Sequence, residues 1–128
     1  MSVGMRLRRC ERGTTAVEFA ITAPLYLMVA VGILQLSLYL WTMLGLKHAV
    51  DMSARCASIG AATCSDATAT QKYAVTQAYG LSVEPTRFVV AKESCGQSVS
   101  VRYDYTVEIP MLSPMKLPVD ARSCVPAY

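Results

Sequence analysis

Two sets of residues in this chain have the types and spacing for chemistry. One is a single carboxylate, Glu18, at the entrance of a run from Phe19 to Leu46 that carries no formal charge. Burying a carboxylate beside a hydrocarbon-length segment is costly, so Glu18 is expected to work as an ion-pairing or recognition group. The other set is Cys56, Cys64, Cys95 and Cys124, four thiols with no C-x-x-C spacing among them. Four such cysteines pair completely as two disulfides, which is favoured over a zinc site. The fifth cysteine, Cys10, stands among the arginines near the N-terminus. His48 is the only histidine and reads as a solvated residue at a membrane boundary. No Ser/His/Asp or Cys/His set, Gly-rich phosphate loop or metal-ligand cluster can be assembled. The chain therefore reads as non-enzymatic, with no cofactor, metal or small-molecule substrate.

The elements that must position these residues are bounded by size and composition. With 128 residues, 53% of them hydrophobic, there is room for one small domain and one membrane segment. The net charge of +3 comes from Arg6, Arg8, Arg9 and Arg12 set against Glu11, and basic and acidic residues balance beyond Gly13. A nucleic-acid surface would need clustered basic residues on the folded part, so nucleic acid is excluded as a partner. The uncharged run exceeds the roughly 20 residues that cross a bilayer core, and a membrane-spanning part is expected at about 19–46. It is too long for a secretory signal peptide and has no small-residue cleavage site after it. The arginines place residues 1–13 in the cytoplasm by the positive-inside rule, and everything after Lys47 outside, in a bacterial envelope the periplasm.

Helical periodicity predicts one long helix over 14–60, bent at Pro24, with an outer stripe of Ala49, Met52, Cys56 and Ile59. Thr63-Cys64-Ser65-Asp66 offers N-cap chemistry for a second helix, closed by Gly80, whose stripe is Ala67, Ala74, Ala78 and Leu81. Beyond Pro85 the period changes to two. Strands are expected at 87–92, 98–109 and 116–123, with a turn at Gly96. Met111, Leu112 and Met115 lie between prolines and read as a loop capping the core, with contact to a partner or a membrane surface as the other reading. The fold class is α+β: a long N-terminal transmembrane helix, then a small head over 61–128 with a second helix and a two- or three-stranded antiparallel sheet. A meander brings the end of the third strand beside the first hairpin, which favours Cys95–Cys124 and leaves Cys56–Cys64. Three pairings remain open. Two crosslinks at roughly 2–4 kcal/mol each would decide the stability of so small a core.

Gly13-Thr14-Thr15-Ala16-Val17-Glu18-Phe19 behind a basic head resembles the processing site of type IV prepilins. That leader, Ala20, Pro24-Leu25, Gln35, the Ala/Ser/Arg-rich helix end from Ala49 to Ala57 and a C-terminal strand of alternating Val and Tyr together resemble the TadE-like family. Members are minor pilin-like subunits, or pseudopilins, of the tight adherence (Tad, Flp) pilus system. The resemblance implies cleavage after Gly13 by a prepilin peptidase, with Thr14, Glu18 and Phe19 completing the processing site. It implies a protein of the bacterial inner membrane, single-pass, with its head periplasmic and possible entry into a surface pilus. Its partners would be other pilin or pseudopilin subunits, the inner-membrane assembly platform, the peptidase and the membrane. Cleavage frees the amine of Thr14, which a neighbouring subunit's Glu18 would neutralise, setting the register between subunits. Ala16 and Ala20 would let helices approach closely, and Gln35 would bond across to another helix. The rival readings are a type II secretion pseudopilin and an uncleaved signal-anchored envelope protein with a binding head.

Overall fold

A computed structural model describes residues 12–127; the leader 1–13 falls almost wholly outside them, as does Cys10. The protein is α+β. Helix α1 (Arg12–Ser58) is followed by a 3-10 turn (Ala62–Cys64), helix α2 (Ala67–Thr76), a second 3-10 turn (Pro85–Arg87), and strands β1 (Phe88–Glu93), β2 (Gly96–Val107) and β3 (Met115–Val125). The chain divides into two compact units, passing from one to the other between Leu34 and Gln35.

The first unit contains the N-terminal part of α1. Its large apolar side chains point outward all round: Val17, Phe19, Ile21, Leu25, Leu27, Ile33 and Leu34 are each exposed. A helix apolar on every face belongs in lipid or inside a bundle, because in water it would expose all of that surface. α1 is long and apolar enough to cross a membrane. Pro24 sits inside it without ending it.

The second unit is a three-stranded antiparallel meander in the order β1-β2-β3, packed with α2 and the later turns of α1. Alternation in β2 decides its faces. Val99 and Val101 are buried and Tyr103, Tyr105 and Val107 half-buried, while Arg102, Asp104 and Thr106 are exposed. Register puts Phe88 and Ala121 beside Val101, and Val119 beside Tyr103, so one face is apolar across all three strands. That face closes over Leu46, Ala49, Val50 and Ala54 of α1, Ala74 of α2 and Ala78 just beyond it. Phe88 is the largest fully buried side chain, and its burial contributes about 2–3 kcal/mol.

Asp66 caps α2, its carboxylate accepting from the Ala69 N–H at 2.6 Å. The helix then ends at Thr76, before Gly80. The buried residues of α1 include Thr42, Leu46, Ala49, Val50, Ser53, Ala54 and Cys56; of the expected row Ala49 and Cys56 are buried and Met52 is half-buried. Ile59 is exposed, because the helix stops at Ser58 and the chain turns through Gly60. The four head cysteines form Cys56–Cys64 and Cys95–Cys124. The first ties the end of α1 to the turn before α2, and the second ties the β1–β2 hairpin to the end of β3.

Candidate functional site

Gly13, Thr14, Ala16, Glu18, Phe19 and Ala20 all lie in the first turns of α1, each exposed. Ala16 and Ala20 are one turn apart and line one side of the helix with the half-buried Ala23. Thr15, Glu18, Phe19, Ile21 and Thr22 form an open groove along the helix surface. The Thr22 hydroxyl donates to the Glu18 carbonyl at 2.9 Å. Glu18 is the one formal charge between Gly13 and Lys47.

The described residues give Gly13 no packing or backbone need for glycine. Among the described residues nothing stands within 4 Å of where its Cβ would be, and its φ is not positive. Residues 13–55 match the family model described as TadE-like protein. The match covers most of α1 and about a third of the chain; α2 and the sheet lie beyond it. No curated protein and no solved structure matches the chain.

Within the TadE-like segment, Gln35 has partners in its own chain. Its Nε2 donates to the Glu108 carbonyl at 3.0 Å, and its Oε1 accepts from the Tyr105 hydroxyl at 3.3 Å. One turn on, Tyr39 meets Tyr105 edge-to-face at 5.7 Å. The far end of β2 is thus fastened to α1 at Gln35 and Tyr39.

A second fastening joins the TadE-like helix to the end of α2. Gly45 lets the two come close: a Cβ there would stand 3.1 Å from Leu81 Cδ1 and 3.3 Å from the Ala78 carbonyl. Tyr79, held at φ 51°, stacks on His48 at 4.7 Å and stands 6.0 Å from Trp41. His48 is therefore packed against a ring rather than simply solvated. Its pairing with Tyr79 had no sequence signal beyond the interval of seven that puts Trp41 and His48 on one helix face.

The proline-flanked loop does not cap the core. Met111 is 93% exposed, Leu112 60% and Met115 52%. The turn is closed by the Leu112 N–H donating to the Ile109 carbonyl at 3.1 Å, with Met111 at φ 73°. This hairpin projects its apolar side chains outward because the core is already closed by Val99, Val101 and Val119 nearer the strand middles.

On the outer sheet face, Arg102 and Asp120 are cross-strand partners joined by two hydrogen bonds, the shorter 2.8 Å. The bond from Arg102 holds the Asp120 carboxyl below its ordinary range, and Asp120 raises Arg102 in turn. Arg122 and Glu93 form a second pair. Among the described residues no group of three His, Cys, Asp or Glu could hold a metal ion.

Proposed function

We propose that this protein is a minor pilin-like subunit of a Tad/Flp-type pilus, cut after Gly13 by a prepilin peptidase and needed for pilus assembly. The family match over residues 13–55 supports a Tad pilus-associated protein with partners in that system. What supports the finer reading is Gly13 itself: among the described residues nothing crowds it and its backbone is not left-handed, so a use outside the chain accounts for it best. A peptidase that needs an unencumbered residue before the scissile bond supplies that reason.

The apolar turns of α1 anchor the subunit in the inner membrane, N-terminus in the cytoplasm and head in the periplasm. During assembly the same surface packs against other pilin helices, and Glu18 receives the amine of a neighbour's Thr14. A carboxylate in an apolar bundle is stable only when so paired. Ala16 and Ala20 supply the close approach between helices. The role is structural, not enzymatic.

Coexpression with a prepilin peptidase, followed by intact mass of the membrane form, tests this. The wild type should begin at Thr14, and Gly13→Asp should retain the leader. Mature-size Gly13→Asp protein, or wild type still carrying its leader, removes the assignment and leaves an uncleaved anchored protein. Glu18→Ala should be largely cleaved yet fail to support piliation; normal pili would sink the register pairing.

A further inference from the structure

We propose that the β2–β3 hairpin tip, Ile109 to Met115, is a second membrane contact: it enters the outer-leaflet interface beside the point where α1 emerges, at Gln35. The proposal rests on the reading of α1 as a membrane helix. It follows from where β2 ends. Val99 and Val101 belong to the same buried cluster as Leu46 and Val50, Tyr105 meets Tyr39 and Gln35, and the Glu108 carbonyl reaches Gln35. The strand therefore descends the later turns of α1 toward Gln35, and the tip is the stretch of chain that follows the Gln35 contact.

Were α1 embedded as far as Leu46, this strand would be immersed with it. Asp104, Glu108 and Lys116 are all exposed and would enter hydrocarbon, at about 3 kcal/mol for each charge at the bilayer centre. Ending the span at Leu34 removes that penalty. The uncharged stretch from Phe19 to Leu34 then spans about 24 Å, with Glu18 left at the inner boundary and the bilayer thinning to meet the short span. The boundary falls about 18 Å short of the one expected from hydropathy.

The tip itself has the chemistry of an interfacial segment. Ile-Pro-Met-Leu-Ser-Pro-Met carries no formal charge and is bracketed by Glu108 and Lys116. Three of its apolar side chains are more than half exposed. The bilayer is the occupant because α1 delivers it: the tip follows Glu108, whose carbonyl is bonded to Gln35, the residue at which the proposed span ends. Trp41, exposed about two turns higher on α1, and Tyr79 beside it fit the aromatic belt of the headgroup zone.

Depth-dependent quenching of the full chain in phosphatidylcholine vesicles tests the proposal. In a Trp41→Phe background, Leu112→Trp and Leu27→Trp each place one reporter, and lipids carry a spin label either near the carbonyl or near the chain end. Retention of both disulfides by mass confirms that each variant is folded. Leu112→Trp should be quenched about twofold more by the shallow label than by the deep one, and Leu27→Trp the reverse. Leu112→Trp unquenched by either label while Leu27→Trp is quenched overturns the tip contact and leaves the membrane helix standing. Leu112→Trp shielded from both labels, with the shielding lost on dilution, assigns the tip to a second copy and also overturns it. If Leu27→Trp is unquenched, the membrane reading fails and the tip contact with it.

Discussion

Replacing the Cys95–Cys124 pair by alanine tests how the sheet is held together. The bridge closes a separation of 29 residues, joining the β1–β2 turn to a β3 residue paired with Ser98. Loop-closure entropy for that length is about 3.6 kcal/mol, against about 2.5 kcal/mol for the separation of 8 residues closed by Cys56–Cys64. Packing narrows the gap. Cys56 and Cys64 are 7% and 5% exposed, so their truncation also removes buried sulfur contacts worth about 1 kcal/mol. Cys95 is exposed and Cys124 half-buried, and little packing is lost there. Each double alanine variant should therefore lose about 3–4 kcal/mol, a large share of the 5–15 kcal/mol typical of a domain. Urea unfolding of the full chain in mild detergent, followed by near-ultraviolet circular dichroism, should show either midpoint falling by about 2 M. A midpoint within about 0.5 M of the parent for Cys95→Ala/Cys124→Ala would refute the loop-closure argument. The two bridges separate in rate instead. Low concentrations of thiol reductant should open Cys95–Cys124 first, because attack needs access and Cys56–Cys64 is shielded. The opposite order would refute the role given to exposure.

Gly96→Ala should destabilise by at least about 2 kcal/mol in the same urea assay, since the new Cβ at φ 124° would stand 2.2 Å from the Val125 carbonyl oxygen. Gly60→Ala, left-handed but with open space around it, should lose only about 1 kcal/mol, and equal losses would mean the contact with β3 is not what matters. The Arg102–Asp120 pair should stabilise the sheet above the ordinary carboxylate range and cease to do so as pH falls through the depressed Asp120 value, because protonation ends the pairing. NMR titration checks this: Arg102→Ala should move the Asp120 midpoint upward, and an unchanged midpoint would remove Arg102 as the cause.

Elements were legible where a local rule and the tertiary environment agree. β2 alternates because one face meets the helices and the other water, so Val99 to Val107 could be assigned to a face before any partner was known. The cap at Asp66 is equally local. The stripe of α1 was harder, since between Leu46 and Ala57 small and apolar residues occupy nearly every face, and a partner placed a rotation away suits the sequence as well. Ser53 shows why: its hydroxyl bonds the Ala49 and Val50 carbonyls, so a polar residue lies fully buried on the core side. Tyr79 and Gly45 carried no signal, because their meaning arises only when α2 ends against α1.

Gln35 marks the point at which hydropathy stops being a guide to the environment. A window average treats Phe19 to Leu46 as one apolar run, since both halves lack formal charge. The halves differ in what interrupts them. From Phe19 to Leu34 the hydrogen-bonding side chains are Thr22 and Tyr26, whereas Gln35, Ser37, Tyr39, Trp41 and Thr42 crowd the next two turns. Lipid offers such groups nothing to bond, while a sheet edge offers carbonyls and hydroxyls, and Gln35 takes both from β2. A polar side chain in a long apolar helix has two solutions, another helix in the membrane or the chain's own head outside it. The density of its polar and aromatic neighbours, rather than its own identity, favours the second.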